Sequence, residues 1–418
     1  MSAALSGCAL KTNEKTPEEI TSPSPSPSPS PSPSPAWVPT PGSLPDGTWH
    51  DPVVAPDASH VGAYGGLGYA PNGDLYLFYE TGTHPNQNLQ NVIRRSASST
   101  WSAEYFVGSR LRTVQMYFEG NQPYFAAETG GNATVFTSTN YSNVAPQTVT
   151  WTSQQTFQAA DGNPNGDGSY GNAFLAKSGS DFFLFHTYLY YSAVTGASLY
   201  GMNFVPQTTG LWPTGGVAGT PLDNNQLVSI FTYPRGATGA YDNGAGSLLA
   251  FSKVAFRSTD GGISFNQFMN SGITADNLTG VLATCKNSTD SSIGVANYYS
   301  GSLAIWGTQD FASNFFRIGT IGSVSPMRGS MACSKNYLVL AYTTGSGVER
   351  YIDYVKSVDG GSTWSTPATV VDATNAGVNP TYTIGSVALA ASASGDLTLG
   401  YSVVSGTTHR GAYIKEFY

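Results

Sequence analysis

Apolar positions along this chain come in short runs that end in Gly, Asn, Asp, Ser or Pro. No helical stripe persists beyond a couple of turns, whereas alternation with period two recurs, which predicts strands joined by tight turns. The runs also recur in a fixed order. A strand of small residues comes first, as in "GLGYA", "GNAFLAKS", "GSMACS" and "GSVALAAS". A turn follows, then an alternating apolar strand: "GDLYLFYE", "SDFFLFHT", "NYLVLAYT", "GDLTLGYS". A third strand is next ("VIRRS", "VAFRS", "IDYVKS", "AYIKEF"), and an aromatic residue opens a fourth, as in "WSAEYFVG" and "WSTPATVV".

The opening aromatics are Trp49, Trp101, Trp151, Trp212, Phe265, Phe315 and Trp364, spaced about 50 to 60 residues apart, and a similar stretch follows Trp364. Four antiparallel strands repeated at that period predict an all-β, seven-bladed β-propeller of four-stranded blades. Small first strands fit the crowding near a propeller axis. The tail supplies three strands, and the segment around Trp49 supplies a lone fourth. Pairing that N-terminal strand with the C-terminal strands is expected to close the ring and leave no free sheet edge. The unit between Trp212 and Phe265 fits least well, because it carries the polar insert "PRGATGAYDNGAG".

Two of these units share a motif, "STDGGISF" at 258–265 and "SVDGGSTW" at 357–364, with a degenerate copy "TQDFASNF" at 308–315. The form is Ser/Thr-x-Asp-x-Gly-x-x-aromatic, placed between the third and fourth strands. A carboxylate inside such a turn accepts hydrogen bonds from the turn's own N–H groups. Glycine takes the positive φ, and the aromatic is expected to pack into the seam with the next blade. The pattern resembles the Asp-box, or sialidase-type, repeat found in sialidases and several other propeller families. That resemblance implies an architectural role for Asp260, Gly262, Phe265, Asp310, Asp359, Gly361 and Trp364 rather than a catalytic one.

Charged residues make up only 11% of the chain, with 48 glycines and 25 tyrosines, so the surface must be largely neutral and polar. That texture suits an extracellular setting and neutral polar partners such as glycans. The net charge of −8 and the lack of a basic cluster argue against nucleic acid, and no run of about 20 apolar residues is present to span a bilayer. "LSGC" at 5–8 resembles a bacterial lipobox, which implies lipidation at Cys8, although only Met1 to Ala4 precede it. Residues 1–8 then read as a truncated signal, 9–45 as a Ser-Pro-rich linker, and 46–418 as the propeller. Alternating Ser-Pro from Ser22 to Pro35 predicts a polyproline II rod of roughly 40 Å. A lipoprotein of the bacterial cell envelope, outer-membrane or surface-displayed, is the expected setting, and a monomer the expected state. Cys285 and Cys333 are expected as buried thiols, with a disulfide between neighbouring strands as the alternative.

Propeller sites usually lie at the end opposite the third-to-fourth strand turns. The loops assigned to that end carry Tyr79, Glu80, Tyr188, Tyr233, Arg235, Tyr241, Asp242, Tyr298, Tyr299, Arg350 and Arg410, and the first-strand entries add Arg112 and Arg328. Tyr188, Tyr233, Tyr241, Tyr298, Tyr299, Arg350 and Arg410 are expected to bind ligand, a glycan or a cell-surface protein, because tyrosine stacks on sugar rings or protein surfaces while offering a polar tip. The resemblance to sialidases implies an alternative. Arg112, Arg235 and Arg328 would hold a substrate carboxylate. Tyr79 with Glu80 would serve as nucleophile pair and Asp242 as acid. Against it, the family's Phe/Tyr-Arg-Ile-Pro motif is absent near the propeller's start, where "FRIG" at 316–319 instead follows the degenerate turn motif, and sialidases have six blades. A third reading is a scaffold for envelope proteins. The scattered histidines show no metal-ligand spacing, and neither a metal nor a cofactor is expected.

Overall fold

The computed structural model describes residues within the span 53–417. Stretches inside that span, among them 159–172, 230–238, 269–280 and 374–381, lie outside the described residues, as does Cys8. Contacts divide the chain into Met1–Ser34 and Pro35–Tyr418, and all described residues belong to the second unit.

The described residues form 29 strands, beginning with the short β1 (Val53–Val54). One sheet comprises β2 (Tyr64–Tyr69), β3 (Leu75–Thr81), β4 (Asn88–Arg94) and β5 (Tyr105–Ser109). The next holds β6 (Leu111–Glu119), β7 (Gln122–Thr129), β8 (Asn132–Thr137) and β9 (Thr152–Gln158). A third has β10 (Ala173–Ser178), β11 (Asp181–Ser192) and β12 (Ala197–Pro206), with β13 (Thr220–Pro221) and β14 (Val228–Ser229) both on the edge of β12. The fourth is built from short pieces, β15 (Gly239–Asp242), β16 (Leu248–Phe251), β17 (Ala255–Ser258) and β18 (Asn266–Phe268). Two regular sheets follow: β19 (Val281–Lys286), β20 (Ile293–Tyr299), β21 (Ser302–Thr308) and β22 (Phe316–Ile321), then β23 (Gly329–Cys333), β24 (Leu338–Thr344), β25 (Tyr351–Ser357) and β26 (Ala368–Asp372). The last is β27 (Tyr382–Ala391), β28 (Leu397–Ser405) and β29 (Thr408–Phe417), with β1 antiparallel on β29, Val53 opposite Ile414 and Val54 opposite Tyr413.

All pairings within these seven sheets are antiparallel, and each first strand lies beside the next: β2, β6, β10, β15, β19, β23 and β27, with β27 back against β2. The chain is an all-β propeller. Small residues in the first strands have a packing reason. A Cβ on Gly329 of β23 would stand 2.7 Å from Leu282 Cδ2 of β19, so any larger residue would push the two sheets apart.

The cores are seams between sheets. Trp151, which precedes β9, packs tilted against Phe78 of β3 and edge-on against Phe125 of β7, with ring centroids at 5.4 and 4.9 Å. Trp212 meets Phe157 at 5.3 Å, Phe265 meets Phe204 at 4.8 Å, and Phe315 meets Phe251 at 5.9 Å. Trp101 packs with Leu67, Tyr79 and Val92 and with Ala388 of the last sheet. Each of these aromatics therefore fills the seam with the preceding sheet, not the following one as the sequence pattern suggests. The turn before the aromatic causes this. A Cβ on Gly262 would sit 2.1 Å from Phe183 of the preceding sheet, and one on Gly361 would sit 2.6 Å from Ile318 of the preceding sheet. The turn itself is pressed onto that side.

The joints between sheets are also bridged at one end, beside the turns that link first to second strands. Asn72 N–H donates to Asn121 Oδ1 at 3.0 Å. Glu119 pairs with Lys177. Lys177 N–H donates to Asp242 Oδ2 at 3.3 Å, and Lys286 Nζ stands 3.7 Å from Asp242 Oδ1. Asn287 Nδ2 donates to the Ser334 carbonyl at 3.2 Å, Tyr337 Oη to the Gly395 carbonyl at 2.7 Å, and Tyr69 Oη shares a 2.6 Å bond with Thr398 Oγ1. Cys285 and Cys333 are not free thiols. They form a disulfide between β19 and β23 with Cα atoms 5.5 Å apart. Their separation in sequence hid a proximity that only the stacking of first strands creates.

Candidate functional site

The two ends of the propeller differ in what holds them. The third-to-fourth strand turns share an end with the first-to-second turns, as the bond from Gly261 N–H to the Gly246 carbonyl at 2.9 Å shows. In one such turn Asp260 Oδ1 accepts from Ser264 N–H at 3.0 Å and from Ser258 Oγ at 2.7 Å, while Oδ2 accepts from Ser264 Oγ at 2.6 Å. The Ser264 hydroxyl and N–H, with Ser258, hold the Asp260 carboxyl down at about 2. Asp359 repeats the arrangement with Thr363 N–H at 2.8 Å, Thr363 Oγ1 at 2.6 Å and Ser357 Oγ at 2.8 Å. Burial pushes its carboxyl up, but the bonds from Thr363 and Ser357 outweigh that and leave it lowered. The leading serines are buried, and each hydroxyl also accepts the second glycine's N–H, Gly262 at 2.8 Å and Gly361 at 2.7 Å. Those glycines have φ of 90° and 89°. Asp310 lies outside the described residues.

A further turn has the same construction and was missed by motif reading. Ser138 Oγ donates to Asn140 Oδ1 at 2.8 Å, and Thr150 N–H donates to the same oxygen at 3.0 Å, directly before Trp151. An amide oxygen stands where the other two turns have a carboxylate. Residues 141–149 separate the acceptor from the residue it ties down, so the spacing of the motif is lost.

At the opposite end the backbone gathers most of the candidate residues. Arg112 lies near the start of β6 across from Glu128, and Tyr188 lies in the far half of β11 across from Gly201. Tyr298 and Tyr299 close β20 opposite Leu303 and Ser302. Arg410 occupies a register shift in β29 between His409, opposite Val404, and Gly411, opposite Val403. Glu80 is half-buried near the end of β3, across from Leu89. Tyr233 and Arg235 lie outside the described residues. First strands are irregular here as well. The register shifts between Tyr64 and Gly66, Arg112 and Gln115, Val281 and Ala283, and Ile384 and Ser386. Bulges of this kind bend a strand and re-aim its side chains, and they concentrate beside binding sites.

Arg328 precedes β23 at this end, and its guanidinium is already engaged. It pairs with Glu349 at 2.8 Å and donates to the Ile384 carbonyl at 3.3 Å. Thr343 Oγ1 donates to the other Glu349 oxygen, and the Glu349 carbonyl accepts Ile384 N–H at 2.8 Å. The node therefore ties β23, β24 and β27 together. Beside it Arg350 is half-buried, with its N–H on the Thr344 carbonyl and its carbonyl accepting Ala373 N–H, both at 3.0 Å.

Three expectations need correcting. Tyr79 is 2% exposed within the seam with Leu77 and Val92, so its ring is packing rather than rim. Tyr241 and Asp242 do not lie on a second-to-third strand loop. They end β15, with Asp242 opposite Leu248 at the bridged end of the propeller. Burial pushes the Tyr241 hydroxyl up to about 12, partly offset by its 2.9 Å bond to Thr284 Oγ1, and the ring packs 6.1 Å from Phe251. Asp242 serves Lys177 and Lys286 at two joints. The misplacement arose because both residues fall inside a polar insert that reads as loop, whereas pairing with β16 makes them strand.

No protein-family model and no curated protein matches the chain. Among solved structures it is similar to a Dyadobacter fermentans protein of unknown function, at 10% identity over 89% of this chain and 99% of that one, TM-score 0.44. It is also similar to a Hadza microbial sialidase, at 9% identity over 85% of this chain and 65% of that one, TM-score 0.45. A third is the Aleuria aurantia lectin, a six-bladed β-propeller that recognises fucose, at 14% identity over 87% of this chain and 96% of that one, TM-score 0.38. At this level of similarity they bear on neither ligand nor chemistry for this chain.

Proposed function

We propose that the chain is a seven-bladed propeller, closed by β1 on β29, that recognises carbohydrate through the end opposite the third-to-fourth strand turns. The observation that carries this reading is the grouping of first-strand register shifts at the end where Tyr188, Tyr298, Tyr299, Arg112, Arg350 and Arg410 are placed. The other end is given over to bridging the joints. A chain rich in tyrosine and with only 11% charged residues suits neutral sugars, whose rings stack on aromatic faces and whose hydroxyls pair with polar tips. Recognition is favoured over cleavage because the two candidates for reaction chemistry with described side chains beyond Glu80 and Arg328, namely Tyr79 and Asp242, serve packing and bridging, and because Arg328 carries its own counter-charge in Glu349.

The N-terminal segment then acts as the tether. Cys8 would carry the lipid, and the Ser-Pro stretch would hold the propeller away from the envelope membrane. A disulfide agrees with an oxidising compartment.

A glycan array followed by calorimetry on the full chain tests the reading. Saturable binding to a neutral glycan class is expected, weakened at least tenfold by Tyr298→Ala with Tyr299→Ala, with no release of fluorophore from aryl glycosides. Turnover of an aryl sialoside would overturn it in favour of a hydrolase. Absence of glycan binding together with recovery of envelope proteins in pull-downs would overturn it in favour of a scaffold.

A further inference from the structure

The joint between β19 and β23 differs from its neighbours. Joints on one side of it are bridged by charge, through Glu119, Lys177, Asp242 and Lys286. This one is bridged by Cys285–Cys333, which links residues 48 apart in sequence, and by the Asn287 amide. Both cysteines are buried, at 6% and 9% exposure, in an apolar cluster that includes Leu282, Met331 and Leu340. The room for the sulfurs is made by a glycine on the neighbouring strand. A Cβ on Gly294 of β20 would stand 2.9 Å from Met331 Cε, 3.2 Å from Cys285 Sγ and 3.4 Å from Cys333 Sγ.

We propose that Cys285–Cys333 is a latch that must form before the seam between these two sheets closes, and that burial then seals it against reductants. Thiol–disulfide exchange needs a thiolate to approach a sulfur in line with the bond being broken. In the finished seam the two cysteines are only 6% and 9% exposed, which restricts such an approach, and apolar surroundings favour the protonated, unreactive form of a thiol. Formation therefore belongs to a partly assembled propeller meeting an external disulfide. One cysteine thiolate attacks that disulfide, forming a mixed disulfide and releasing one thiol. The second cysteine attacks the mixed disulfide, closes the Cys285–Cys333 bond and releases the other thiol. Two electrons and two protons pass to the external disulfide. A chain that packs fully where thiols stay reduced keeps both thiols and has lost the route to the bond. The redox state of this joint thus records the compartment in which the propeller closed.

The test uses the full chain and peptide-resolved mass spectrometry, which separates Cys285 and Cys333 from Cys8. Oxidised protein is incubated with dithiothreitol and an alkylating agent, with and without guanidinium. Labelling of both peptides is expected within minutes when unfolded and to be at least a hundredfold slower when native. Protein folded under dithiothreitol and then moved to oxidised glutathione without denaturant is expected to stay reduced, and to melt about 4 °C below the oxidised form. Gly294→Ala is expected to raise native-state labelling several-fold by forcing the pocket open. Native labelling as fast as unfolded labelling, or prompt oxidation of the folded reduced protein, would overturn the proposal.

Discussion

A single side-chain oxygen decides three of the described third-to-fourth strand turns. In two turns it belongs to a carboxylate and in a third to the Asn140 amide, yet all three tie the same N–H, that of the residue before the aromatic. The amide turn shows that charge is not required for the geometry. Asp260→Asn is therefore expected to keep the turn, while Asp260→Ala loses the acceptor and lowers the melting midpoint further. The two differ in pH response. Asp260 has a folded pKa of about 2, below the ordinary carboxylate value near 4. A depressed carboxyl contributes stability that is present above the unfolded pKa and is lost as pH falls through the folded one. Between about pH 4 and pH 2 the midpoint of the wild type should fall more steeply than that of Asp260→Asn. Parallel slopes in a pH series of thermal scans would count against this.

Within the Asp260 and Asp359 turns the contacts reach only four positions along the chain, and so the motif was readable there in the sequence. What the turn does to its sheet was not, because the surface it presses on belongs to another repeat. Gly262 holds φ of 90° and admits Phe183, and Gly361 holds φ of 89° and admits Ile318. A glycine here serves conformation and close approach together. Gly262→Ala is expected to cost at least roughly 1–3 kcal/mol from backbone strain, with more from displacing the ring. Chemical denaturation should show the loss as a lower midpoint. An unchanged midpoint would mean that the turn does not bear on the seam. The direction in which the aromatics pack follows from the same element. Once the turn lies on the preceding sheet, Trp151, Phe265 and Trp364 have only that seam to enter.

Across the whole molecule, one end carries a series of bridges between neighbouring sheets, and the other carries the first-strand register shifts, the tie from Arg328 and Glu349 to β27, and the aromatic and basic positions proposed for recognition. Asp242 belongs to the first group, since it accepts from Lys177 N–H and pairs with Lys286, so three sheets meet at one carboxylate. Asp242→Ala leaves the Lys177 N–H short of an acceptor and removes the counter-charge from Lys286, whose ammonium keeps its bond to the backbone carbonyl of residue 242, at an expected cost of about 1–3 kcal/mol. Glycan affinity, which the opposite end supplies, should stay within twofold of the wild type. A variant that keeps its stability but loses binding would place Asp242 in recognition instead.

Sequence by itself determined the strands, the four-strand period, the small first strands and the stapled turns, because each depends on alternation, composition or contacts a few residues long. It could not determine what depends on one repeat facing another. The Cys285–Cys333 bond, the seam each aromatic enters, the Glu349 partner of Arg328 and the place of Asp242 at a joint all arise from sheets brought side by side around an axis. Local chemistry is written in order along the chain, whereas those pairings exist only after residues some 50 positions apart are stacked at the same height in adjacent sheets.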